Sequence, residues 1–169
     1  MGSSTIDGWK VTAGTIDYIG NYWEASDGNR SLDMSGNKIG GIAQTFSTVA
    51  NQFYMVSFDM AGNVDGGSNI KQLQVSAGFG GVSFGQDIFS FDTKGYSKSD
   101  MGWSSYLFTF QALGDLTTLE FLSLNNSCYG AALDNVSIQE GGNPVPEPAT
   151  MFLVGVGLAS LGTFRKRLR

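Results

Sequence analysis

No histidine occurs anywhere in the 169 residues. Its absence removes the side chain that most often serves as a general base near neutral pH, and with it the commonest zinc ligand. Cysteine occurs once, at Cys128, so neither an intrachain disulfide nor a cysteine-based zinc site can form. A lone thiol of this kind is expected to be structural and half-buried. Proline occurs three times, all of it in Pro144, Pro146 and Pro148, and no stretch before residue 149 carries a sustained apolar stripe at helical spacing. Basic side chains are few, and four of the ten are Arg165, Lys166, Arg167 and Arg169. Residues 1–142 therefore hold 6 basic and 14 acidic side chains, a net charge of about −8. Such a body repels phosphate backbones, which excludes nucleic acid as a partner and fits soluble, extracellular or cation-binding roles.

Glycine is abundant at 24, and Val, Ile, Phe, Tyr and Thr recur in short runs separated by Gly, Asn, Asp and Ser. That is the pattern of strands and tight turns. Period-two alternation predicts strands over 15–18, 31–34, 41–48, 53–61, 71–77, 88–92, 106–112, 117–124 and 132–139, nine or ten in all. It sets Tyr54, Val56, Phe58 and Met60 on one face. Leu73 with Val75, Tyr106 with Phe108 and Phe110, Leu119 with Phe121, and Val136 with Ile138 form corresponding faces. Many short strands with glycine-rich turns imply an all-β fold, an antiparallel sandwich or barrel over residues 1–140.

The chain changes character after residue 140. Residues 141–148 cannot continue a sheet, because three prolines in five residues remove backbone donors and fix φ, so an extended linker is expected. Residues 149–164 then run without a charge, about 24 Å as a helix at 1.5 Å per residue. Against a bilayer core of about 30 Å this is a short transmembrane helix, stretched by snorkelling of the basic residues at 165–169, which prefer the cytoplasmic side. Pro146, Glu147 and Pro148, then the apolar run, then Arg165, Lys166 and Arg167 resemble the PEP-CTERM sorting signal of bacteria that secrete exopolysaccharide. The resemblance implies recognition and processing by a membrane enzyme of the exosortase type. It also implies a location in the envelope of a Gram-negative bacterium or outside it, with membrane anchoring before processing. The start, Met1 to Asp7, shows neither a basic patch nor an apolar run. Export then implies that Met1 is an internal methionine or that the chain is a fragment, with a non-standard export route as the lesser alternative.

The body resembles a second family. Its marks are the segments 8–12, 16–20, 25–36, 42–46 and 56–63, and the run Cys128-Tyr129-Gly130-Ala131-Ala132-Leu133-Asp134-Asn135-Val136-Ser137. Their order and spacing resemble the choice-of-anchor C family, which implies a galactose-binding-like jelly roll related to plant cell-wall proteins. Such domains open on a strand with an Asn-x-x-Phe-Glu motif, and this sequence starts after it, so a neighbouring strand is expected to be unpaired. The resemblance also implies a structural calcium whose last-strand ligand is Asp134. Calcium wants six to eight oxygens, and the alternative is that the Asp134 carboxylate accepts hydrogen bonds from backbone amides. Residues 62–69 also offer oxygens, and the favoured reading of that stretch is a plain hairpin loop.

Three functions follow from the residues. A carbohydrate-binding module would use aromatic faces beside polar side chains, as Tyr22 and Trp23 stand beside Asp27, Asn29 and Arg30, and as Tyr96 and Trp103 flank a polar loop. The alternative for Trp9, Trp23 and Trp103 is that they plug the ends of the sandwich. A purely structural surface or biofilm protein fits the same composition. An enzyme does not: no carboxylate pair is singled out, and without histidine Cys128 lacks a base.

Overall fold

The structure is a computed structural model that describes residues 6–141. Gly141, expected to open the linker, instead closes the last strand, where it pairs with Phe53. The linker residues 142–148, the apolar run 149–164 and the sorting-signal residues Pro146, Glu147, Pro148, Arg165, Lys166 and Arg167 lie outside the described residues.

Ten strands form two antiparallel five-stranded sheets. In chain order they are β1 (Lys10–Ala13), β2 (Asp17–Ile19), β3 (Ser31–Asp33), β4 (Gly41–Ser47), β5 (Phe53–Gly62), β6 (Ile70–Phe79), β7 (Val82–Asp92), β8 (Ser104–Gln111), β9 (Leu116–Ser123) and β10 (Ala131–Gly141). One sheet has the order β1-β4-β9-β6-β7 and the other β2-β3-β10-β5-β8. The expected all-β sandwich is the observed fold.

The predicted faces meet in register. Tyr54, Val56 and Phe58 of β5 stand opposite Phe110, Phe108 and Tyr106 of β8. Val75 of β6 stands opposite Phe121 of β9, and Ala77 opposite Leu119. Phe58 is the hub between the sheets, edge-on to Phe89 at 5.1 Å and to Phe121 at 5.3 Å, and stacked on Tyr106 at 5.7 Å.

Three features depart from the sequence expectations. Residues 10–13 form β1, which has a single strong apolar residue, Val11, and exists because it pairs with β4. Strand β7 begins at Val82 rather than 88, since Gly80 and Gly81, both at positive φ, turn the chain so that Phe79 pairs with Val82. Its first half escapes the pattern because it is an edge strand with mostly exposed side chains. Cys128 is exposed rather than half-buried.

The last strand bends where the site forms. Between Asp134 and Ser137 the register with β5 slips by one residue, with Asn135 at φ 49°. This bulge reverses the alternation, so Leu133 and Ile138 both take the inward register, opposite Met60 and Val56. Yet Ile138 is 38% exposed while Val56 is fully buried. The reason is that β3 pairs with β10 at Ala132 and Leu133 only. Beyond them β10 has β5 alone beside it among the described strands.

Candidate functional site

Residues 20–30 leave β2 through a polar turn that includes Gly28 at φ 60°, and cross the outward face of the second sheet. Trp23 anchors this crossing. It is 4% exposed, and its indole N–H donates to Ser31 Oγ at 2.7 Å. It is therefore buried and presents no exposed face to a sugar. Trp23→Phe keeps most of the buried volume and loses the hydrogen bond. The expected loss is about 1–2 kcal/mol of stability in chemical denaturation, with ligand binding unchanged.

Tyr22, Tyr96 and Trp103 join loops. The Tyr22 hydroxyl donates to Asp65 at 2.7 Å and accepts from Lys98 Nζ at 2.7 Å, and Lys98 pairs with Asp65 at 2.9 Å. The ammonium also lies 3.9 Å from the Tyr22 ring centroid, so one face of that ring is occupied. The Glu24 amide donates to the Lys98 carbonyl, and the Trp103 indole N–H donates to the Glu24 carbonyl at 2.9 Å. Tyr96 stacks on Phe91 at 5.4 Å, and Gly102 lies so close to its ring that a Cβ there would collide. These contacts latch residues 20–30, 63–69 and 93–103 to one another, and Asp65 makes the 62–69 loop part of the latch.

Hydrogen bonds from Lys98 and Tyr22 hold the Asp65 carboxyl below its usual 3.8. A depressed acid stabilises the fold above its unfolded pKa, and the contribution disappears as pH falls through the lower folded value. Hydrogen exchange at the Glu24 amide is therefore expected to accelerate below pH 3.8, and in Lys98→Met it should already be fast at pH 7. Equal exchange in the two proteins at pH 7 would mean that the latch does not hold the loop.

Asp27 and Asp134 come together through the Asp27 backbone. Asp134 Oδ2 accepts the backbone N–H of Ser26 at 2.8 Å and of Asp27 at 3.0 Å, and Oδ1 accepts that of Asn135 at 2.8 Å. Asp59, beside it in register, accepts from Ser26, Ser105 and Asn135. A calcium ion at Asp134 would face amide hydrogens instead of oxygens, so the carboxylate does not fit the ion. No group of three or more acidic, cysteine or histidine side chains among the described residues could hold a metal. The amide-bonded alternative for Asp134 is the observed one.

The same bulge opens a cavity of about 230 Å³. Leu32, Ile42, Leu133, Trp9 and Val136 give it apolar lining, and Asp134 and Asn135 polar lining. Tyr18, 50% exposed, and Arg30 form the rim, with the guanidinium carbon 5.2 Å from the Tyr18 ring centroid. Of the residues singled out in the sequence, the structure brings Arg30 and Asp134 to this cavity. Asp27 and Asn29 lie exposed in the adjoining turn. Trp9 and Tyr18 were missed as a pair, although Trp9 immediately precedes β1 and Tyr18 lies within β2, both short strands of mixed polarity. A second, shallower cleft of about 450 Å³ lies on the outward face of the first sheet beside the β6–β7 turn, lined by Gln74, Ser76, Gln86, Thr118 and Glu120. Its one aromatic lining residue is Phe79.

Comparison with known proteins places this geometry in context. A family model described as "Protein of unknown function (DUF642)" matches residues 1–139, and one described as the PEP-CTERM protein-sorting motif matches residues 144–167. The motif indicates an exported, envelope-associated protein. Halomucin of Haloquadratum walsbyi is 29% identical over 150 residues, which is 87% of this chain and 2% of that protein. The chain thus spans a small part of that relative's length. Among solved structures, the CBM35 of Paenibacillus barcinonensis superposes with a TM-score of 0.54 at 15% identity, over 83% of this chain and 98% of that one. The CBM22-1 xylan-binding domain from the Xyn10C of the same organism gives 0.53 at 16%, covering 80% and 87%. TmCBM61, solved in complex with β-1,4-galactotriose, gives 0.53 at 10%, covering 80% and 90%. The fold is that of carbohydrate-binding modules.

Proposed function

The chain belongs to the DUF642 family, and from that membership we propose that it is an exported surface protein whose sandwich binds carbohydrate in the cavity beside β10. The observation that carries this reading is the cavity itself, lined by two aromatic side chains, a guanidinium and an amide together with apolar side chains. Apolar ring faces meet the C–H surface of a sugar, while polar groups fix its hydroxyls. The xylan and galactotriose named with the fold neighbours support a glycan as ligand class.

Within the family the chain is of the choice-of-anchor C type. Its Pro146-Glu147-Pro148 signal is read by an exosortase-type enzyme in a Gram-negative envelope. The apolar run 149–164 anchors the protein in the membrane until it is processed. Its place is then the exopolysaccharide or biofilm matrix, where it acts by binding rather than catalysis.

Affinity electrophoresis against a panel of polysaccharides tests the binding. At least one polysaccharide should retard the chain saturably, and Tyr18→Ala should weaken the retardation about fivefold, since loss of one stacked ring removes about 1 kcal/mol. Flat mobility across the panel, or a Tyr18→Ala chain that is retarded like the parent, would leave the purely structural surface protein as the better description.

A further inference from the structure

Arg30 is the single cation that lines the cavity, and among the described residues it makes neither an ion pair nor a side-chain hydrogen bond. Two lysines of the neighbouring loops and strands differ. Lys98 is bound to Asp65 and Tyr22, and Lys71 donates to the carbonyls of Gly66 and Tyr129. Among the described residues Arg30 thus has no hydrogen-bond acceptor for its N–H donors, and its guanidinium, 5.2 Å from the Tyr18 ring centroid, stands at the rim of an open cavity with both polar and apolar lining. Asp134, the one carboxylate in the cavity, is already committed to three backbone amides, and the Asn135 amide nitrogen donates to Asp59.

We infer that the cavity takes a single sugar residue bearing a carboxylate, its acid group on Arg30 and its ring between Trp9 and Tyr18. This rests on the glycan-binding reading above. Size sets the single residue, because about 230 Å³ is below the roughly 300 Å³ at which pockets begin to take drug-sized ligands. Charge sets the acid. A planar guanidinium binds a carboxylate through two parallel charge-assisted hydrogen bonds, roughly twice as strong as neutral ones, and a neutral sugar leaves that capacity unused. The net charge of about −8 on residues 1–142 opposes a long run of acid groups along the surface. It opposes one acid group much less, since distant charges are screened beyond about 10 Å at 0.1 M salt. The ligand is therefore a uronate at a chain end or on a side branch, not an internal stretch of a polyuronate.

The three tryptophans make the test. In the full 169-residue chain labelled with ¹⁵N-tryptophan, Trp9 reports on the cavity, while Trp23 and Trp103 report on the fold and the loop latch. Titration with methyl glucuronide should shift the Trp9 indole signal and leave the other two in place. Methyl glucoside should bind about tenfold more weakly, Arg30→Ala should reduce glucuronide to the glucoside affinity, and Arg30→Lys should recover part of the difference. The Trp23 signal shows whether each variant is folded. Equal affinity for the two glycosides, or a glucuronide preference that survives in folded Arg30→Ala, overturns the inference and leaves the glycan-binding reading standing. A Trp9 signal that responds to neither glycoside sinks both.

Discussion

Replacing Asp33 with alanine should lower the free energy of unfolding by about 3–5 kcal/mol at neutral pH, a large share of the roughly 5–15 kcal/mol that holds a domain together. Asp33 is on the outward face of β3 yet 2% exposed, because the loops close over it. One carboxylate oxygen accepts the backbone N–H of Ser35 at 2.9 Å and of Gly130 at 3.2 Å, and the other accepts Asn63 Nδ2 at 2.7 Å. Alanine would strand three donors away from water. It would also remove the negative charge whose field opposes the burial that draws the Lys71 ammonium below its usual pKa. Asparagine at 33 keeps the shape and one acceptor, so it should fall between the two.

The pH dependence has an unusual sign. Burial pushes the Asp33 carboxyl above 3.8 despite its hydrogen bonds from Asn63, Ser35 and Gly130. A raised acid contributes stability that is complete below its unfolded pKa and is lost as pH rises through the folded one. The parent's advantage over Asp33→Ala should therefore widen between pH 7 and pH 4. Urea unfolding at the two pH values measures it. A deficit under 1 kcal/mol, or one that shrinks on acidification, would show that Asp33 does not organise this end of the sandwich.

Phe58→Ala should be comparably damaging, about 3–5 kcal/mol. The ring is buried at the centre of the interface and touches aromatic side chains of both sheets: Tyr106 on its own, Phe89 and Phe121 on the other. Its removal leaves a void that no single neighbour can fill, since Phe89, Tyr106 and Phe121 are each fixed by their own strand. The denaturation midpoint should drop with the m-value unchanged. Phe79→Ala, at an exposed hairpin position, should change stability by no more than about 0.5 kcal/mol. Similar losses at the two positions would contradict a core centred on Phe58.

Strand faces were legible because side-chain direction in a strand depends only on parity. Tyr54, Val56, Phe58 and Met60 point inward whichever strand lies beside them. Loop side chains have no such rule. Trp23 looked like a binding aromatic because Tyr22, Asp27 and Arg30 surround it in sequence, but its direction depends on Ser31 and on the second sheet beneath it. The Tyr22–Asp65–Lys98 latch joins residues 43 and 76 positions apart, a distance over which local sequence carries no pairing information. The cavity was invisible for the same reason, since its existence depends on the bulge at Asn135 and on how few residues of β10 are covered by β3.

Composition and alternation alone determined the β class, the inward sets of side chains, the C-terminal motif and the exclusion of histidine chemistry, because each is a property of residues close together in the chain. Only the tertiary structure decided which strands are neighbours, which aromatics are buried, that the Asp134 carboxylate accepts three backbone amides, and that Arg30 stands at the rim of an open cavity. Those outcomes follow from contacts between distant segments, where hydrogen-bond satisfaction and packing choose among arrangements that the local pattern leaves equal.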